Sequence, residues 1–457
     1  MIHDMRMADS VTRRDFLRRC AQAAATIPAV AAVTGRQGLA VDQTAGDSDR
    51  ELSDQIDAAL WDDILSAWYP RCLDRESGGY WESFAEDWTR LPCDTKCLVY
   101  QARMTWTPAA VLLTSKRDRQ KFLDYARHGL RFLADKLWDK THGGFFDRVS
   151  IAGDPVPNNM PWKQMYSLAF GIYAPATVHA ATGDRDALRL AQEAFRWIDR
   201  HAHDAKHGGY YEHLRADGTP VATDVTEEAL GRGLPVIGRV GHKSMNAHIH
   251  VLEALIALRR VWNDSRLHER LNEIFEIVRD KIVLPGGHLN MFCGRDFAPR
   301  DERSSFGHEL EIAYLLHEAT ELLDRNDDAA TAQTARQLVD HSLRWGWDEA
   351  NGGFYDEGPP TGEPERKSKV WWVQAEGMNG LLTASRLSPQ HGIYRQRFAE
   401  TWAFFRGHMI DGRYGGCYNT VDRSGKPLNR QKASPWKTAY HVTRAMLHAS
   451  DQLRRSA

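Results

Sequence analysis

Apolar residues recur along the chain at helical spacing. Leu188, Ala191, Phe195 and Ile198 fall at i, i+3, i+7 and i+10, and Met245, Ile249, Leu252 and Ile256 repeat the pattern. Ile312, Leu315, Leu316 and Ala319 form a third stripe. Such stripes predict helices that each bury one face. Glycine pairs interrupt them at Gly78-Gly79-Tyr80, Gly143-Gly144-Phe145, Gly208-Gly209-Tyr210, Gly286-Gly287-His288, Gly352-Gly353-Phe354 and Gly415-Gly416-Cys417-Tyr418. The steps between them are 65, 65, 78, 66 and 63 residues. Asp74, Asp139, Asp204, Asp348 and Asp411 stand four residues ahead of their pairs, and only the fourth pair lacks this Asp. Asp bonds its own backbone and Gly tolerates positive φ, so each unit predicts a tight loop. A period near 65 residues holds two helices and a loop, and six such hairpins closing on themselves predict an all-α fold, an (α/α)6 barrel over residues 55–455. Residues 41–54, rich in Asp, Ser, Thr and Gly, read as a linker.

The amino terminus carries a different signal. Thr12-Arg13-Arg14-Asp15-Phe16-Leu17-Arg18 precedes a weakly apolar stretch, Ala21 to Thr34, and a small-residue end at Gly38-Leu39-Ala40. A basic start, a short apolar run and small residues at a cut site make residues 1–40 a signal peptide, and the adjacent arginines make it a twin-arginine type. The expected partner of the precursor is the twin-arginine export machinery, and the expected location is the periplasm or the extracellular space.

The 457 residues are 42% hydrophobic and 26% charged, an ordinary globular balance. With 59 basic and 61 acidic side chains the formal charge is −2, so no electrostatic footprint for nucleic acid is present. No apolar run is long enough to anchor the mature chain in a membrane. Six cysteines do not make a disulfide scaffold, and Cys93 with Cys97 forms only a lone C-x3-C. The aromatic load changes the picture: 15 Trp, 14 Tyr and 16 Phe offer flat faces that suit sugar rings as well as a large core.

Polar residues then appear on helices whose faces are expected to be apolar. Asn246, His250 and Glu253 lie at i, i+4 and i+7, a stripe that gives a histidine acid/base oriented by a carboxylate. His248 projects away from His250. His308 with Glu311 is a second His-carboxylate pair at i, i+3. Lys437, His441 and Arg444 form a third stripe, beside Trp436, in which two cations disfavour the imidazolium. Trp372 and Glu376 are one turn apart, and Arg103 sits in a further repeat. A ring of repeats converges such residues on its centre and makes a sugar-sized polar pocket. There is no His-Glu-x-x-His and no phosphate-cradling glycine loop, so neither a metal nor another cofactor is expected.

In order along the chain, Gln101-Ala102-Arg103, Met245 to Ala254, Phe306-Gly307-His308-Glu309-Leu310-Glu311, Trp371 to Glu376, and Pro435-Trp436-Lys437-Thr438-Ala439-Tyr440-His441 resemble the signatures of the N-acylglucosamine 2-epimerase family. Their wording is closest to its cellobiose 2-epimerase branch. The resemblance implies an (α/α)6 barrel, no metal or redox cofactor, a small-molecule sugar as partner, and a proton moved at carbon 2 of a reducing sugar. It further implies that His250 and His441 transfer the proton and that Glu253 orients His250. Arg103 would bind near the reacting oxygens, Trp372 and Trp436 would stack on sugar rings, and His308 with Glu311 would complete the pocket. The chain departs from the branch at Arg215-Ala216-Asp217-Gly218, where an Asp-Trp is usual. Two other classes compete: an (α/α)6 glycoside hydrolase, which needs two opposed carboxylates, and a non-catalytic carbohydrate-binding protein.

Overall fold

The computed structural model describes residues 45–156, 162–221, 242–300 and 303–456. The signal peptide read at residues 1–40 lies outside them. Among the described residues, helix α1 (Ala45–Ala59) is followed by five hairpins of long helices and a final long helix. The hairpins pair α2 (Leu98–Thr114) with α3 (Arg119–Phe132), α4 (Met165–Thr182) with α5 (Arg185–His201), and α6 (Met245–Val261) with α7 (Ser265–Ile277). They continue with α8 (Phe306–Leu322) and α9 (Ala329–His341), then α10 (Trp371–Leu387) and α11 (His391–Phe404), and the chain ends in α12 (Tyr440–Ser456). The even helices form an inner ring in which each packs on the next and α12 returns to α2, while α1 packs outside α12 as its missing partner. This is the (α/α)6 barrel expected from the glycine period.

Burial explains which helix takes which ring. Inner helix α4 buries every residue from Met165 to Val178, because it is covered on the outside and meets the other inner helices within. Outer helix α5 buries only Ala187, Leu190, Ala191, Ala194, Phe195, Trp197 and Ile198, a single stripe. Residues 45–54 of the linker expected over 41–54 are helical instead, because helix α1 begins at Ala45; residues 41–44 lie outside the described residues. The polar surface of α1 masks a stripe of Leu52 and Ile56, continued by Leu60 just past its end, packed on the core, and Ser53 is buried with its Oγ 2.8 Å from that of Ser450 in α12.

The glycine loops are locked by ion pairs. Asp74 Oδ1 accepts the backbone N–H groups of Glu76 and Ser77 at 3.1 and 3.0 Å, while Oδ2 takes Lys96 Nζ at 2.6 Å. That lysine also donates to the Gly78 carbonyl at 2.5 Å. The arrangement recurs as Lys163–Asp139, Lys243–Asp204, Lys369–Asp348 and Lys432–Asp411, all buried. In the fourth repeat, where the Asp is missing, the lysine is missing too. Ser304 bonds Glu309 instead, and Glu309 Oε2 accepts from His341 at 3.0 Å and Ser342 at 2.6 Å. The pair is replaced as a unit, since deleting one partner of a buried pair costs about 3–5 kcal/mol.

The fourth residue of several inner helices grips the loop behind it. Gln101 Oε1 accepts the Tyr80 N–H at 2.8 Å and its Nε2 donates to the Tyr80 carbonyl at 2.8 Å; Gln374 does the same to Phe354. His248 is the equivalent of these glutamines. Its Nε2 accepts the Tyr210 N–H at 3.1 Å and its Nδ1 donates to the Ser244 carbonyl at 2.7 Å. Burial lowers its pKa to about 4, so it stays neutral and structural. Glycine is required beneath such a grip: at Gly79, with φ +69°, a Cβ would lie 2.5 Å from Gln101 Oε1. Short antiparallel strand pairs, such as Thr95–Cys97 with Arg148–Ser150, link successive repeats at the mouth of the barrel. An antiparallel bridge between Phe84 and Ala433 closes the ring.

Candidate active site

All six inner helices start at the same mouth, so equal positions along them form layers around the axis. The second residues include Tyr166, Asn246, Trp372 and His441; the sixth include Arg103, Phe170, His250, Glu311 and Glu376. The ninth are Trp106, Tyr173, Glu253, Tyr314, Asn379 and His448. Steps of four and three keep these positions on one face of a helix. The upper two layers carry the chemistry expected from the sequence.

They enclose a cavity of about 150 Å³ lined by Arg103, Tyr166, Asn246, His250, His308, Trp371, Trp372, Trp436 and His441. Helices α6 and α12 face each other across the ring, so His250 and His441 approach the cavity from opposite sides, as do Arg103 on α2 and His308 on α8. Asn246 presents an Oδ1 with no partner among the described residues, aimed where a ligand hydroxyl could donate. Trp436, 43% exposed, stands at the entrance. No carboxylate lines this cavity among the described residues.

The carboxylates lie one layer deeper and orient the histidines. His250 Nδ1 donates to Glu253 Oε2 at 3.0 Å, and His441 Nδ1 donates to Glu376 Oε1 at 2.6 Å. These bonds turn each Nε2 toward the cavity. Burial, with Arg103 beside it, holds His441 well below the usual histidine pKa, so its neutral form is the resting one. Burial works against the charge of Glu253, but Arg444 and His250 outweigh it and hold the carboxyl at about 2. Arg103 donates to the Tyr166 hydroxyl at 2.9 Å and lies 4.5 Å from the Phe170 ring and 5.0 Å from that of Tyr440.

Two expectations need correction, and one open question is answered. Lys437 does not share a helical stripe with His441 and Arg444, because α12 begins only at Tyr440. Lys437 sits in the preceding turn and donates to the carbonyls of Cys417 and Gln431, so the cations near His441 are Arg103 and Arg444. His308 and Glu311 do not pair. The sixth-layer Glu311 turns to the axis and binds Arg444, while His308, third in its helix, has its Nδ1 2.7 Å from Ser305 Oγ. Burial lowers the His308 pKa to about 4. Cys93 and Cys97 are free thiols, with Cys93 donating to the Thr95 carbonyl at 2.9 Å.

Tyr166, Trp371 and Tyr440 are site residues that the sequence reading did not single out. Counting from each inner-helix start would have found Tyr166, the second-layer equivalent of Asn246 and His441. Donor atoms of Glu311, Glu376 and His441 lie within 4.8 Å of one another, a spacing a cation could use. The cation already there is the Arg444 guanidinium, whose Nη2 bonds both Glu311 and Glu376. Further cavities of about 150 and 460 Å³ open at the opposite mouth, around Arg260, Tyr314, Glu318 and His448. They hold no pair of opposed histidines, so chemistry rather than volume selects the site.

A helical barrel with histidines converging on a sugar-sized polar cavity defines an isomerase that acts on carbohydrates. The comparisons with known proteins agree: residues 78–445 match the N-acylglucosamine 2-epimerase (GlcNAc 2-epimerase) model, and the chain belongs to that family. It is 29% identical to the cellobiose 2-epimerase of Bacteroides fragilis over 86% of this chain and 97% of that one. The solved cellobiose 2-epimerase of Spirochaeta thermophila superposes with a TM-score of 0.79 at 32% identity, covering 91% of this chain and 99% of that chain. A D-mannose isomerase structure gives 0.75 at 21% identity, covering 90% and 99%, and shares the fold.

Proposed function

We propose that this enzyme epimerises or isomerises a reducing sugar by moving the hydrogen on carbon 2 through an enediolate. The observation that carries the reading is His250 and His441 on opposite sides of a cavity that no carboxylate lines among the described residues, each held in one tautomer by a deeper glutamate. A neutral histidine removes the carbon-2 proton from the open-chain sugar. The electron pair moves into the carbon 1 carbonyl, where Arg103 neutralises the developing oxyanion. The imidazolium opposite returns a proton to the other face of carbon 2, giving the epimer; return to carbon 1, with the hydroxyl proton passing from O2 to O1, gives the ketose. The relatives are named for cellobiose, N-acylglucosamine and mannose, and the candidate substrates are those sugars and mannobiose.

A second assignment replaces His250 by His308. It is favoured by the His308 ring, 4.7 Å from Trp372 and tied at Nδ1 to Ser305 with no carboxylate, which leaves Nε2 to the cavity. The test is incubation with mannose, glucose, cellobiose, mannobiose and N-acetylglucosamine in D2O, reading deuterium at carbon 2 by NMR. One sugar should exchange its carbon-2 hydrogen and yield its epimer or ketose. Sugar binding without exchange would leave a binding protein, and release of monosaccharide without exchange a hydrolase. In single Asn variants of His250 and His308, the proton-transfer partner of His441 is the one whose loss stops epimerisation.

Export by the twin-arginine route belongs to the same proposal and is supported by the Thr12–Arg18 motif. Changing Arg13 and Arg14 together to Lys should leave the precursor in the cytoplasm on fractionation; unaltered export would overturn it.

A further inference from the structure

Arg444 stands at the centre of the barrel, 1% exposed, one turn beyond His441 on α12. Its Nη1 binds Glu253 of α6 and the Tyr440 hydroxyl, and its Nη2 binds Glu311 of α8 and Glu376 of α10, the last at 2.6 Å. One guanidinium thus holds three carboxylates from three adjacent inner helices. Two of these are the groups that orient His250 and His441. Glu376 Oε1 is shared directly between His441 Nδ1 and Arg444 Nη2.

The three carboxylates all bind Arg444, and the next guanidinium is that of Arg103 beside His441, so three negative charges meet two positive ones and one negative charge is left among side chains at most 4% exposed. A buried uncompensated charge is expensive, and one imidazolium cancels it. Two imidazolium ions would overshoot and repel, and none would leave the deficit. From this geometry we infer that Arg444 is a positioning residue that ties the carboxylate partners of both histidines to one guanidinium, so that the pair holds a single shared proton. One histidine is then acid whenever the other is base, the pattern a reversible epimerase needs. The inference rests on the histidine mechanism proposed above.

The other groups facing this layer do not supply the missing charge. From α2 comes Arg103, already counted, and from α4 come Tyr166 and Tyr173, whose phenols burial raises, Tyr166 to about 12. From α8 come Tyr314, likewise raised by burial, and His308, which burial keeps neutral. From α12 come Tyr440, raised by burial, and His448, which burial lowers and which Glu318 and Arg260 face from below. Burial works against the charge of Arg444, and the carboxylates of Glu376, Glu253 and Glu311 outweigh it and hold the guanidinium protonated.

The test is the pH profile of kcat/KM in three variants. Arg444→Met removes a positive charge beside both dyads, so imidazolium is favoured at each and both limbs should move to higher pH by about 1 unit or more. Glu311→Gln removes the carboxylate that bonds no histidine, and both limbs should move the opposite way. Arg444→Lys keeps the charge but cannot span three carboxylates. Its limbs should stay near the wild-type positions while kcat falls by about 10²-fold through lost positioning. If Arg444→Met does not fold, the opposed behaviour of Glu311→Gln and Arg444→Lys carries the test. Lower kcat with unmoved limbs in both Arg444→Met and Glu311→Gln would overturn the coupling, leaving Arg444 as a brace. Wild-type protein that exchanges no carbon-2 hydrogen would instead overturn the mechanism itself, a separate outcome.

Discussion

Replacing His441 by Asn should lower kcat for epimerisation by about 10²–10⁴-fold, the usual worth of a positioned acid/base. Asn keeps a donor near the place of Nδ1 for Glu376, so the thermal midpoint should change far less than the rate. The loss should be unequal between the two directions of the reaction. In one direction His441 removes the carbon-2 proton, and the variant should neither epimerise nor exchange that substrate. In the other direction it only returns the proton, and the variant can still exchange the epimer with solvent through the histidine opposite. Measuring deuterium incorporation for each epimer separately reads this asymmetry. Near-full epimerase activity in the variant would show that a single base serves both faces, and equal loss of exchange from both epimers would show that His441 positions the sugar rather than transferring a proton.

Such an experiment is designed from residues that sequence alone brings forward, because the repeat makes the fold legible. The six Gly-Gly loops, five of them with an Asp four residues ahead, fix six units, and the helical stripes between them leave little but hairpins to build. The polar residues on inner helices stand out for the same reason, since a face expected to be apolar carries His250, Glu253, Glu311 and Glu376. What the sequence does not show is pairing between helices. Glu376 orients His441 from 65 residues away, and Glu311 reaches Arg444 from 133 residues away. Spacing within one helix instead suggests His308 with Glu311, a contact that the axis-facing Arg444 outcompetes. Helix starts are the other weak point. Lys437 looks like a member of the His441 stripe only if the helix is taken to begin three residues early, whereas the turn closed by Ser434 and Lys437 delays it to Tyr440. The Ser304–Glu309–His341–Ser342 cluster is likewise invisible as the stand-in for a missing Lys–Asp pair until the loops are superposed in space.

Arg103→Met should cost about 10²–10³-fold in kcat, the scale of removing one donor to a developing oxyanion. The guanidinium is buried at 4% exposure, its Nη2 is committed to Tyr166, and its Nε has no partner among the described residues, so it has a donor left for a ligand oxygen. The charge matters most once carbon 2 has lost its proton, because the enediolate carries a full negative charge that the sugar does not. The loss should therefore fall on kcat, with a smaller rise in KM. A second effect has a definite sign. Arg103 is the main charge that disfavours imidazolium at His441, after burial itself. Removing it should raise the pH at which His441 becomes a free base, so the acid limb of the variant moves upward. Arg103→Lys keeps the charge without the planar fork and should restore the limb while recovering only part of kcat. A variant whose KM rises with kcat intact would assign Arg103 to ground-state binding of the sugar, and an unmoved acid limb would remove His441 from the role of base.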